Sequence, residues 1–219
     1  MNDHRTMKRY VSDRCERIRT LVALLLGMVL APSMLQAQSD AVPKEHFGVE
    51  APAHLDPAHT RDIYRRLIDT MVNAYALSKD PSASRYRRWR LYNSSPYQSA
   101  THGNRYVNNY ANPIARDYGR PRITEQMPKG SILAKDSFSV TEAGEVFPGP
   151  LFLMEKMDKG FNPDSRDWRY SMIMPDGSYF GVTGGDSADR VAFCVTCHQT
   201  AGDENDHLFF VPEAYRNGD

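Results

Sequence analysis

Hydrophobic and polar positions change their spacing twice along this chain, near Leu35 and near Trp89. The first apolar feature is the run Leu21-Val-Ala-Leu-Leu-Leu-Gly-Met-Val-Leu30, after which small and polar residues lead to Leu35-Gln36-Ala37. Residues 38–58 are rich in Pro, Ala and His and have no periodicity, which predicts a leader with few fixed contacts. A helical period then takes over. Ile63, Leu67 and Met71 form one row, and Tyr64, Ile68, Val72 and Tyr75 the next, which predicts a helix over Thr60–Lys79. Asp56 or Thr60 can cap its start, and Pro81 stops it.

After Trp89 the period shortens. Tyr97 to Asn112 has extended character, and Pro113 to Tyr118 predicts one short helix before Gly119. Turn signals recur at Met127-Pro-Lys-Gly130, Glu142-Ala-Gly-Glu145 and Pro175-Asp-Gly177. Between and beside them lie strand-length segments at Ser131–Ser139, Pro150–Met157, Trp168–Met174 and Ser178–Val182. Short strands joined by tight turns predict an antiparallel meander. Val191 to His198 predicts a short helix, and Leu208-Phe-Phe-Val211 a last strand or a packing segment. The expected fold is α+β: a mostly antiparallel β-sheet, an N-terminal helix and a short C-terminal helix, in one domain over 59–219.

Charge changes the picture at the N-terminus. The first 20 residues carry six Lys/Arg against three acids, ahead of the ten-residue apolar run. A basic region, a short apolar stretch and small residues together predict an export signal over 1–37, cleaved after Ala37, with Met7 as an alternative start. The run is short for a membrane span, which takes about 20 apolar residues. The full chain has 27 basic and 27 acidic residues; with six and three of them in the leader, the remaining 182 carry 21 and 24. No basic stripe suggests nucleic acid, and no second apolar run suggests a membrane. The protein is expected to be periplasmic or secreted.

The candidate chemistry sits near the other end, at Cys194-Val195-Thr196-Cys197-His198. C-x-x-C-H is the spacing that attaches a c-type haem. Two thiols three positions apart can each form a thioether to one haem vinyl group, and the next residue offers an imidazole to the iron. The competing readings are a redox C-x-x-C and half a zinc site. The third cysteine, Cys15, lies in the expected leader, so neither a zinc site nor a disulfide finds further cysteines in the processed chain. The expected cofactor is therefore one covalently attached haem c, held by Cys194 and Cys197, with His198 on iron. Only 21 residues follow His198 and the last methionine is Met174, which argues against a downstream methionine ligand. A four-helix haem bundle would need four long amphipathic helices, and the pattern gives one.

The ordered segments carry a resemblance. Pro128-Lys-Gly-Ser-Ile-Leu-Ala-Lys-Asp136, Gly149-Pro-Leu-Phe-Leu-Met-Glu-Lys-Met157, Asp167-Trp-Arg-Tyr170 and the Phe193–His198 helix follow one another as in the cytochrome P-460 family, which includes cytochrome c prime beta. The similarity runs from about Gly103 to Tyr215. It implies that Lys135 bonds through its side-chain nitrogen to the haem macrocycle; Asp136 follows it where Glu is common. On the residues alone, Lys135 reads as an ordinary strand lysine. The resemblance also implies a second-sphere acid, for which Glu155 is the candidate: it interrupts the run Leu151–Met154 and is either a general base or half of an ion pair. His102 and His207 are candidate sixth ligands or surface histidines. The implied activity is oxidation of hydroxylamine or a related small nitrogen compound. Binding or sensing of nitric oxide or carbon monoxide, and plain electron transfer, stay open beside it. A soluble redox partner and a homodimer complete the expected partners.

Overall fold

The computed structural model of the protein describes residues 48–119 and 126–217. The expected leader and its cleavage site after Ala37 lie outside the described residues. The first helix, α1, spans Pro57–Tyr75. The Asp56 carboxylate accepts from the backbone N–H of Ala58 at 2.8 Å and of His59 at 2.9 Å. Pro57 follows at the first helical position, where its missing N–H does no harm. One stripe, Thr60, Tyr64, Ile68, Met71 and Tyr75, is buried.

The helix ends at Tyr75, short of the expected Lys79. Gly177, in the turn between two strands, crosses its end with φ +83°, and a Cβ there would sit 2.8 Å from the Ala74 carbonyl oxygen. The chain turns away, and the Asp80 side chain caps the Ser82 N–H at 2.8 Å.

Eight strands form one antiparallel sheet: β1 Arg90–Leu91, β2 Tyr97–Ser99, β3 Arg105–Ala111, β4 Ile132–Val140, β5 Val146–Pro148, β6 Leu151–Lys156, β7 Trp168–Ile173 and β8 Tyr179–Val182. The order is β1-β3-β4-β6-β7-β8, with β2 also on β3 and β5 also on β4. The expected strands are met to within a residue or two, because their ends are set by turn residues that the sequence displays. The second helix, α2, spans Ala192–Gln199.

Register decides which side chains share a face. Lys135 pairs with Asn109 and with Phe152, and Phe152 with Met172. Ala134 pairs with Tyr110 and with Leu153. Ala134, Tyr110 and Leu153 belong to the core under α1, together with Tyr64, Met71 and Tyr75. The opposite face, with Val107, Met154, Trp168 and Tyr170, packs against Leu208 and Cys194.

The expectation of a leader with few fixed contacts over 38–58 is corrected. The segment 49–55 is tied down: Val49 N–H donates to Gly103 O at 3.0 Å, Ala53 N–H to Val140 O at 2.8 Å, and Leu55 N–H to the Tyr106 hydroxyl at 2.7 Å. Backbone donors that meet a strand end do not need an apolar period to be fixed, so the pattern missed them. The four arginines around Trp89 face solvent. Arg85, Arg87, Arg88 and Arg90 are all exposed, and the Arg87 guanidinium also donates to the Tyr110 hydroxyl and lies 5.7 Å from the Tyr64 ring centroid. The tail Leu208–Val211 forms no strand; Leu208 and Val211 pack into the second core.

Candidate functional site

The second sheet face and α2 enclose a cavity of about 580 Å³. Its walls come from β4 and β6 (Lys135, Phe152), β7 (Tyr170, Met172), α2 (Cys194, Cys197, His198), the tail (Leu208, Phe209) and the turn Ala100–Asn104 (His102). The volume falls in the range of about 300–1,000 Å³ usual for cofactor sites.

His198 is 8 % exposed. Its Nδ1 lies 2.9 Å from the backbone carbonyl of His207. A carbonyl only accepts, so Nδ1 carries the hydrogen and Nε2 is left with its lone pair. No protein group of the described residues bonds Nε2, and His198 lines the cavity. Burial, with the Lys135 ammonium next, pushes the imidazole down to about 4, so it is neutral and able to ligate.

The carbonyl that orients it is itself built in. Asp206 and His207 both have left-handed backbone, with φ +51° and +58°. The Asp206 carboxylate accepts from Lys156 Nζ at 2.7 Å, from Arg166 Nε at 3.1 Å and from Met127 N–H at 2.9 Å. Its backbone carbonyl accepts from Trp168 Nε1 at 2.8 Å. This anchor was not foreseen; an Asp-His pair in a polar tail gives no sequence signal, because its partners lie 38 to 79 positions away.

Cys194 and Cys197, one turn apart on α2, are both half-buried and both line the cavity. Burial pushes the Cys194 thiol up to about 12 and raises that of Cys197. Lys135 lines the same cavity from β4, and burial brings its ammonium down to about 8. Geometry therefore brings Lys135, Cys194, Cys197 and His198 to one space. Asp136, next to Lys135, faces the other way. It is fully buried and accepts from the hydroxyls of Tyr64 and Tyr86 and from Asn108 Nδ2.

Glu155 is not part of this space. It pairs across β6 and β7 with Arg169, whose guanidinium donates to its carboxylate, and it belongs to the face that carries Leu151 and Leu153. Strand alternation puts it away from Phe152 and Met154, so the expected general base stands as an ion pair. His207 also lies off the cavity wall: its Nε2 lies 2.9 Å from Asp203 Oδ1. His102 does line the cavity; its ring is edge-on to Phe152 with centroids 4.9 Å apart.

The walls fit a bound haem on two counts. Tyr170 is 3 % exposed and lines the cavity, yet its hydroxyl has no partner among the described residues. A buried polar group without a partner is destabilising unless something outside the chain completes it. His198 presents the matching free ring nitrogen. Among the described residues no three His, Cys, Asp or Glu side chains gather as a bare metal ion would need. His198 would hold the iron, Cys194 and Cys197 would take the vinyl groups, and the apolar wall of Phe152, Met172 and Leu208 would meet the macrocycle.

A comparison with curated proteins finds no match. The family model described as Cytochrome P460 matches residues 83–210, from the turn after α1 to the tail, and so takes in the β-sheet, α2 and every wall of the cavity except the segment at Gly48–Glu50. The chain belongs to the cytochrome P460 family and is a haem protein of that family.

Proposed function

We propose that this protein is an exported cytochrome with one covalently attached haem, and that it oxidises hydroxylamine or a related small nitrogen compound. The observation that supports this best is the shared cavity. It combines a single oriented, neutral imidazole from His198, two thiols from α2 and a lysine with a lowered pKa. Cys194 and Cys197 hold the haem, and Lys135 Nζ forms a further bond to it. When bound, the haem supplies the redox chemistry, accepting electrons from the nitrogen compound and passing them to a soluble one-electron acceptor protein. The chain's own part is narrower. The His207 carbonyl fixes the His198 ring and keeps the proton on Nδ1. Phe152, Met172 and Leu208 exclude water.

A second reading is favoured by one observation. With Glu155 on the other face, exposed Glu50 is the only acid among the described cavity residues. A wall so poor in carboxylates suits a protein that binds nitric oxide or carbon monoxide without turnover.

The purified protein decides. Acid–acetone should leave the colour on the polypeptide, and peptide mapping should find no unmodified Lys135 in full yield. Hydroxylamine with an artificial electron acceptor should turn over. Absence of turnover alongside tight nitric oxide binding selects the second reading.

A further inference from the structure

Oxidation of hydroxylamine to nitric oxide releases three electrons and three protons. The haem, when bound, would supply an exit for the electrons, but the protons need one through the protein. Of the cavity walls, the turn Ala100–His102 offers a continuous path. His102 lines the cavity and meets Phe152 edge-on at 4.9 Å. Its Nδ1 lies 2.8 Å from Ser99 Oγ and 3.3 Å from Thr101 Oγ1, and those two hydroxyls lie 3.4 Å from one another. Its Nε2 has no partner among the described residues. Thr101 is exposed.

We propose that His102 is the proton-accepting residue of this cavity, and that Ser99 and Thr101 carry the proton from its Nδ1 to solvent. This rests on the hydroxylamine-oxidising reading and names the acceptor which that reading lacks once Glu155 is removed from the site. In each step an N–H or O–H of the substrate would break and its proton would go to Nε2; the haem, when bound, would supply the path by which the electron reaches an external acceptor protein. The Nδ1 proton then passes to Ser99 Oγ or Thr101 Oγ1, and water takes one from the exposed hydroxyl. A hydroxyl both donates and accepts, so either imidazole tautomer stays hydrogen-bonded during the relay.

The neighbours are consistent with a neutral resting ring. Burial acts first, with the Lys135 ammonium next, to hold His102 well below the usual histidine range. Exposed Glu50 is the only acid among the described cavity-lining residues. A Lys135 bonded to the macrocycle as proposed would carry no ammonium charge, which removes one of the influences that lower His102. The covalent link and the proton path are thereby coupled.

The test uses the haem-loaded protein. In His102→Gln the ferrous spectrum and the affinity for hydroxylamine should be kept, while kcat should fall about 10²–10⁴-fold, the usual contribution of general-base assistance. Imidazole added to the buffer should restore part of it. Thr101→Val, which keeps the shape of the turn, should lower kcat less and leave KM unchanged. Activity is not the only readout: the infrared stretch of the carbon monoxide adduct should shift between wild type and His102→Gln if Nε2 faces the bound ligand. Equal kcat in an active wild type and in His102→Gln, with an unmoved stretch, overturns this proposal alone. A low-spin resting ferric signal that vanishes in His102→Gln also overturns it, by making His102 an axial ligand. An inactive wild type overturns both this proposal and the reading beneath it.

Discussion

Glu155 and His102 show how differently two polar residues fare once the strand register is known. Glu155 interrupts an apolar run and His102 sits in a polar stretch, yet Glu155 meets Arg169 across the sheet and His102 meets the cavity through a turn. Glu155→Gln should keep haem attachment and hydroxylamine turnover, and should lower stability by no more than about 1 kcal/mol, as expected for a partly exposed pair. Steady-state kinetics and urea unfolding of the variant check this; a collapse of kcat would return the carboxylate to the chemistry. Cys194, Cys197 and His198 were legible because their chemistry depends on spacing along five residues. His102 was visible as a histidine without a context, since its cavity is assembled from β4, β6 and α2. Tyr170 gave no signal at all: only burial reveals that its hydroxyl lacks a partner.

Among elements, α1 and the long strands were legible because period and punctuation are local properties. The tail 202–211 was not. Its fixed geometry comes from Asp206, 2 % exposed, between Lys156 and Arg166, and from Tyr118, whose hydroxyl donates to Phe209 O at 2.9 Å. These contacts reach across the fold and leave no period. Removing the Asp206 charge should therefore be severe. Asp206→Asn leaves the Lys156 ammonium buried without its counter-ion, a loss of about 3–5 kcal/mol. Urea unfolding measures it, and adding Lys156→Met should recover a large part. An Asp206→Asn protein as stable as wild type would show that the Arg166 backbone carbonyl and solvent suffice for the Lys156 ammonium.

For the whole molecule the two sheet faces have separate tasks. One is closed by α1 over Asp136 and its tyrosines; the other is closed by α2 and the tail over the cavity. The first sets a pH dependence. Burial raises the Asp136 carboxyl from 3.8 to about 6, so the folded protein holds this proton more tightly than the unfolded chain does. Its contribution is fully present below about pH 4 and is lost as pH rises through about 6. The difference in unfolding free energy between wild type and Asp136→Asn should therefore change across that window and be flat above about pH 7. A difference that stays constant from about pH 4 to pH 7 would mean that the tyrosine hydroxyls already stabilise the carboxylate.

The tail that closes the second face has a consequence for biogenesis. Leu208 and Phe209 wall the cavity, and the His207 carbonyl that orients His198 lies just before them. The thiols at Cys194 and Cys197 face inward beneath that closure. Under the proposed attachment, machinery would have to reach both sulfurs before residues 202–217 dock, so the cofactor would go in first and the C-terminal segment would shut afterwards. Protein collected before attachment should be cut by trypsin at Arg216 far faster than the finished, coloured form, and maturation should be readable as the disappearance of that cleavage.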